Sequence, residues 1–358
     1  MSGSMRIAFF GSSLVSAYWN GAATYYRGII RALAERGYEI TFYEPDAYDR
    51  QAHRDMPDPD WAVVAVWRNS PEAALQALED ARGSDIVIKC SGVGVFDALL
   101  EREVLRLRDD GASVVFWDVD APATLDRLAA DDSDPLRECI PQYDMILTYG
   151  GGDAVVAGYE AFGARQVEPI YNALDPLTHH PVPRDDRFRG DLGFLGNRLP
   201  DREERVEEFF LRPAARLPER RFLIGGSGWD DRPMPANVKF LGHVYTRDHN
   251  AFNCSPTAVL NINRESMARY GFSPPTRVFE AAGAGACLIT DYWAGIDTFL
   301  TPGEECLVVR SGEELTELID SLTPEDARAI GSAALERVLS EHTYADRVER
   351  LEALLDGC

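Results

Sequence analysis

The stretch from Arg277 to Asp291, Arg-Val-Phe-Glu-Ala-Ala-Gly-Ala-Gly-Ala-Cys-Leu-Ile-Thr-Asp, restricts the fold more than any other in the chain. It reads as a short helix closed by glycine, followed by a buried strand that stops at a carboxylate. Phe279, Ala282 and Ala286 line the packed side, and Gly283 and Gly285 let the chain turn sharply. Cys287-Leu-Ile-Thr is apolar enough for a parallel strand covered on both faces. Glu280 lies on that helix with Arg277 one turn before it. The two are either a pair reaching a ligand or a solvated surface pair.

The same alternation opens the chain. Arg6-Ile-Ala-Phe-Phe-Gly11 is a buried strand, a helical pattern covers 24–36 and closes at Gly37, and 39–43 is a second strand. This is a strand, loop, helix, strand unit of nucleotide-binding type. Gly21 at the mouth of the helix leaves backbone N–H groups free for an anion, or else marks a tight turn with an N-cap. The loop lacks G-x-G-x-x-G, so no dinucleotide fingerprint is present and a dinucleotide-dependent dehydrogenase is disfavoured. Further strands are expected at 61–67, 85–89, 112–120, 143–149 and 166–169, with helices over 97–109 and 153–162.

Asp118 and Asp120 end the strand at 112–120 and share a face if that strand continues. One of them orients or deprotonates a hydroxyl, or caps the helix expected near Thr124. Gly150, Gly151 and Gly152 permit close approach at the next strand end, but no lysine accompanies them and a phosphate-cradling P-loop is excluded.

Loss of periodicity and the prolines of His179-His-Pro-Val-Pro183 mark a domain boundary. The adjacent His179 and His180 lack the helical spacing of a metal pair and read as solvated linker residues. Beyond them strands are expected at 191–196, 221–226, 238–245, 258–263 and 306–309, and helices at 202–211, 248–255, 313–322, 324–340 and 347–355. In the helix at 324–340, Ala327, Ile330, Ala334, Leu335 and Val338 recur at helical spacing. A glycine- and proline-bearing loop runs to Pro275, and His342 is a packed junction residue.

With 358 residues the chain accommodates two domains, and 45% hydrophobic residues support folded cores. The formal charge of −23 argues against nonspecific binding to nucleic acid or anionic membrane, while leaving room for a small cationic pocket. Cys90, Cys139, Cys254, Cys287, Cys306 and Cys358 are scattered without a C-x-x-C pair, so neither a disulfide framework nor a structural zinc site is expected. A reducing cytoplasm fits that usage. Met1-Ser-Gly-Ser precedes an apolar run too short for a signal peptide, with Met5 read as the natural start, and no segment reaches the length of a membrane span.

The block at 277–291, with Pro302-Gly-Glu-Glu-Cys-Leu-Val-Val and Glu341-His-Thr-Tyr-Ala-Asp-Arg347 beyond it, resembles the C-terminal signature of group 1 glycosyltransferases, in the branch of the CgeB-like spore-maturation proteins. The blocks span about the last third of the chain in the expected order. The resemblance implies an α/β protein of GT-B architecture, with two Rossmann-like domains facing a central cleft and a C-terminal helix crossing back to the first domain. The expected bounds are 1–174 for the acceptor domain, 175–340 for the nucleotide-sugar domain and 341–358 for that helix. Glu280 is then expected on the donor ribose and Arg202 on the diphosphate. Arginine suits that place because its planar fork meets two phosphate oxygens at once. Asn197 stands where many relatives carry arginine, and Arg198 or Arg264 is expected to supply the second basic contact. His243 and Val244 match the loop that meets the base, and Asn263, Arg264, Ser266 and Arg277 face the donor. Ser12, Asn20, Gly21 and Thr24 match the acceptor or phosphate loop.

The implied activity is a hexosyltransferase-type transfer from a nucleotide-diphosphate sugar to an unidentified acceptor, without metal or other cofactor. Asp118, Asp120 and Arg202 are its candidate catalytic residues, and Asp118-Val-Asp120 is read as acceptor-side rather than metal-binding. Relatives often carry a second glutamate two turns before the one matching Glu280, where this chain reads Tyr270-Gly-Phe-Ser-Pro-Pro-Thr276. A nonhydrolysing sugar-nucleotide epimerase and a noncatalytic sugar-nucleotide binding protein are the rival readings.

Overall fold

The computed structural model describes residues 4–18 and 20–355. The leader 1–3, Trp19 and Cys358 lie outside the described residues. The chain divides into two compact units, one formed by 1–172 with 344–358 and the other by 173–343.

The first unit is built on seven parallel strands: β1 Arg6–Phe10, β2 Glu39–Asp46, β3 Val63–Arg68, β4 Ile86–Cys90, β5 Ser113–Asp118, β6 Met145–Thr148 and β7 Val167–Pro169. Their order is β3-β2-β1-β4-β5-β6-β7. All five residues of β4 are buried, as a central strand covered on both faces requires. Phe9 pairs with Phe42 on one side and Ile88 on the other, which fixes the register at the centre. The helix Ala23–Glu35 lies against the last helix, Tyr344–Leu355. Close approach is possible because Gly28 has no side chain: a Cβ there would stand 2.1 Å from the Tyr344 ring.

The second unit carries six parallel strands: β8 Leu192–Leu195, β9 Phe222–Gly225, β10 Val238–Phe240, β11 Ala258–Asn261, β12 Leu288–Asp291 and β13 Leu307–Val309. They are ordered β10-β9-β8-β11-β12-β13. Phe194, Phe210, Phe222, Trp229, Leu260 and Ile289 form the heart of the core. Both sheets are thus parallel α/β layers of Rossmann type, as expected.

Three local expectations are corrected. The helix expected at 202–211 is instead Glu203–Val206, a π turn over Glu207–Leu211, then Arg212–Arg216. Pro213 accounts for the break, since it has no N–H to donate and its ring crowds the carbonyl four residues back. Glu265–Tyr270, expected as loop, is a helix. The strand ending in two carboxylates stops at Asp118. Asp120, at φ −144° and ψ 49°, precedes the helix Ala121–Ala130, so the two do not share a strand face. Among the described residues no helix is long and apolar enough to cross a membrane.

Candidate functional site

In an open parallel sheet, ligands gather beyond the carboxyl ends of the strands where the order reverses. In the second unit that point lies between β8 and β11. Glycines let backbone pack tightly there. Gly196 N–H donates to Gly225 O at 2.9 Å, Gly226 N–H to Gly242 O at 2.9 Å, and the Trp229 indole to Gly196 O at 2.8 Å. Gly226 adopts φ +123°, and a Cβ on it would lie 2.2 Å from the Gly196 carbonyl oxygen, so only glycine fits.

Three arginines converge on this end of the sheet. Arg202 rests on the Gly196 backbone, where an added Cβ would be 2.9 Å from its Nη1. Burial, together with the positive charges of Arg264 and Arg277 and against the pull of Asp201, lowers the Arg202 pKa. Its buried Nε has no hydrogen-bond partner among the described residues. Arg277 reaches the Leu195 carbonyl at 3.3 Å and Asn253 Oδ1 at 3.5 Å, yet its own Nε is likewise buried without a partner. Arg264 bonds Asp201 at 2.6 Å. The buried Asn263 Nδ2 and Ser266 Oγ also lack partners among the described residues. Buried donors are normally satisfied, and cationic ones most of all. A cluster of unmet donors around guanidinium groups therefore calls for an anion.

The carboxylate end of β12 braces this cluster. Asp291, fully buried, accepts from Arg205 Nε at 3.1 Å and from the backbone N–H of Asn263 at 3.1 and 3.2 Å. It thereby fixes the chain as it leaves β11.

Glu280 is buried on the helix Thr276–Gly283. Burial alone would raise its pKa, but His179, then Arg277 and His249, outweigh that and hold the carboxyl below its usual value. Arg277 Nη1 is 3.6 Å from Oε2 and His179 Nε2 is 4.0 Å from Oε1. His179 is therefore not the solvated linker residue expected. It is 3% exposed and turned inward, whereas His180 is exposed. His249 joins them, its pKa lowered to about 4 chiefly by burial. His179, His249 and Glu280 place ligand atoms within 4.8 Å of one another, a set able to hold a metal ion. His249 carried no spacing signal. Its neighbour His179 carried none either, since the doublet with His180 reads as solvated linker.

The remaining expected residues are placed as follows. Asn197 accepts the Ser227 N–H at 2.9 Å, closing the loop after β8. Arg198 is committed to Glu203 at 2.6 Å and Asp231 at 2.9 Å, so its charge is already answered. His243 is exposed, its ring edge-on to Tyr245 at 4.7 Å, and Val244 is buried with its carbonyl 3.3 Å from His249 Nε2.

In the first unit, Ser12 Oγ donates to Asn20 Oδ1 at 2.9 Å, and Asn20 Nδ2 donates to the Ser13 and Ser16 carbonyls at 2.8 and 3.1 Å. Asn20 thus holds the loop together. Open space surrounds Gly21, and Thr24 lies in the first turn of a helix whose cap residue, Ala22, makes no side-chain bond. Asp118 is enclosed: one carboxylate oxygen receives Ser91 Oγ at 2.6 Å and the Asp120 N–H at 2.9 Å, and the other receives the Tyr159 hydroxyl. Such bonds stiffen the exit of β5 rather than leave a carboxylate turned outward.

Residues 202–353 match the family described as glycosyl transferase-like. The match covers less than half of the chain, and it includes Arg202, Asn263, Arg277, Glu280 and Asp291. No curated protein matches the chain. Solved structures resemble it over nearly its whole length. Sucrose-phosphate synthase from Thermosynechococcus elongatus is 14% identical, with 99% of this chain and 98% of that one aligned and a TM-score of 0.72. Anabaena HepE in complex with UDP and glucose is 14% identical, covers 99% and 100%, and has a TM-score of 0.70. An alpha-glucosyltransferase in complex with UDP-glucose and DNA containing an abasic site is 12% identical, covers 99% and 100%, and has a TM-score of 0.74. The fold is of the GT-B type, and with the matched segment it supports a group 1 glycosyltransferase.

Proposed function

We propose that the chain transfers a hexose from a nucleoside-diphosphate sugar to an acceptor nucleophile, and that the second unit holds the donor. The observation that carries this reading is the pair of Nε groups on Arg202 and Arg277, both inside the matched segment and both buried without a partner among the described residues. A diphosphate supplies the acceptors those donors lack and the negative charge that offsets crowded guanidinium groups. As the bond from sugar C1 to the diphosphate oxygen breaks, the electron pair leaves with the diphosphate, and the two arginines stabilise it there. The acceptor oxygen forms the new bond to C1, and its proton passes to the departing diphosphate or to water. Glu280, held ionised by its neighbours, is an acceptor-only group suited to two ribose hydroxyls. With arginine cations on the leaving group, no metal is required for this step. The separated C-terminal blocks favour the CgeB-like branch, and unpaired cysteines suit a reducing compartment such as the cytoplasm.

The test is release of nucleoside diphosphate from UDP-, GDP- and ADP-sugars, with Arg202→Ala as the comparison. Release from at least one donor, reduced at least tenfold in the variant, is expected. Interconversion of the sugar nucleotide without nucleotide release would instead support an epimerase, and binding without any release a noncatalytic receptor.

A further inference from the structure

The histidines beside Glu280 are oriented by groups that fix which nitrogen carries the proton. His249 Nε2 lies 3.3 Å from the Val244 carbonyl, which can only accept, so that nitrogen bears the hydrogen. The lone pair is then on Nδ1, which is buried without a partner among the described residues. His179 Nδ1 lies 3.1 Å from the Thr178 hydroxyl, whose own hydrogen goes to the Asp175 carbonyl at 3.2 Å. The hydroxyl is therefore the acceptor and His179 Nδ1 carries a proton, which leaves Nε2, facing Glu280 Oε1 at 4.0 Å, as the nitrogen that offers a lone pair once the ring is neutral. Two imidazoles thus hold their protons outward on backbone or hydroxyl acceptors. Each keeps a lone pair for the pocket they share with a carboxylate. This is how metal-ligating histidines are set by the groups behind them.

Nothing about a ribose pocket requires both tautomers to be fixed in this way. The donor set, two imidazole nitrogens and one carboxylate oxygen, is that of zinc-class ions rather than magnesium or calcium. A tetrahedral ion with bonds of about 2.0–2.1 Å sets its donors roughly 3.4 Å apart. The observed spread is 4.8 Å or less, so binding an ion requires the donors to close by up to about 1.4 Å. Arg277 sits against the other carboxylate oxygen, Oε2, at 3.6 Å, leaving Oε1 to the ion. A fourth position stays open.

We propose that His179, His249 and Glu280 bind a divalent ion of the zinc class, and that this ion and a nucleotide exclude one another. The first half stands on the geometry alone. The second rests on the reading of Glu280 as the ribose acceptor, since one carboxylate cannot serve both.

Cobalt(II) is the probe, because its visible absorption reports tetrahedral nitrogen and oxygen coordination directly. Titrated into the full chain, it is expected to give an intense band saturating at one equivalent. That band should weaken roughly a hundredfold in affinity or vanish in His249→Ala and in His179→Gln. It should persist in His180→Ala, which alters the exposed neighbour, and magnesium should not displace it. Should His179→Gln fail to fold, His249→Ala carries the test. Absence of the band, or its persistence in the folded histidine variants, overturns the site. Adding UDP is expected to bleach the band. UDP that binds by calorimetry while the band stays intact overturns the exclusion and the placing of ribose on Glu280.

Discussion

Arg277 and Glu280 face each other across one helical turn, with Nη1 3.6 Å from Oε2, while Arg277 Nη2 also donates to the carbonyl of Leu195, the last residue of β8. The helix thereby ties a carboxylate to the strand end where a donor nucleotide is proposed to sit. Replacing Glu280 with Gln keeps the shape and removes the charge. Binding of a nucleoside diphosphate is expected to weaken by about 1.5–3 kcal/mol, the worth of hydrogen bonds to a charged group. Binding of inorganic pyrophosphate should be unaffected. Titration calorimetry with UDP and pyrophosphate checks this, and an equal loss for both would place Glu280 on the phosphates instead.

Asp291 carries a structural role at the end of β12. It is fully buried, pairs with Arg205 and accepts the Asn263 N–H. Asp291→Ala leaves the Arg205 guanidinium to Glu265 alone, at 2.9 Å, and frees the backbone after β11. A stability loss of about 1.5–3 kcal/mol is expected in urea unfolding, the worth of hydrogen bonds to a charged group.

Gly226 tests the tightness of the strand-end backbone. At φ +123°, with the Gly196 oxygen 2.2 Å from any Cβ, Gly226→Ala must distort the loop. A loss of about 1–3 kcal/mol is expected, with weakened nucleotide binding. Gly21→Ala, at a position with nothing within 4 Å, should change neither.

Much of this architecture was readable in the sequence because each strand is a short apolar run and each turn is marked by glycine or proline. Every expected strand forms, usually one or two residues shorter than its apolar run. Leu192–Leu195 lies within 191–196, for example. The helix Pro71–Asp80 is announced by Ser70 and Pro71: Ser70 Oγ accepts the Ala73 N–H at 3.2 Å. Arg202 and Glu280 were visible by their place in the pattern. His179 was not, because its burial beside Glu280 depends on a contact across a hundred residues of chain, and the doublet with His180 resembles a solvated linker. Arg198 shows the converse. Its position suggested a phosphate ligand, but Glu203 and Asp231, brought to it by a helix start and a loop, already occupy it.

The cysteines offer a check on the cores. Burial pushes the thiols of Cys90, Cys287 and Cys306 up to about 12 and that of Cys139 to about 11. Thiolate is the reactive form, so at pH 8 these four should resist iodoacetamide in the native protein and react together on unfolding. Mass spectrometry after timed alkylation reads this out.

The central claim is that the unmet donors of Arg202 and Arg277 await a diphosphate. Removing a guanidinium whose buried Nε has no partner among the described residues should cost little stability, whereas removing one that grips a ligand should cost affinity. Calorimetric titration of UDP, GDP and ADP into the wild-type chain and into Arg202→Ala measures both sides of that statement when paired with thermal melts. The account predicts that at least one nucleotide binds, that the variant binds it at least tenfold more weakly, and that its melting temperature is unchanged or higher. Equal affinity in the two proteins for every nucleotide that binds would contradict it.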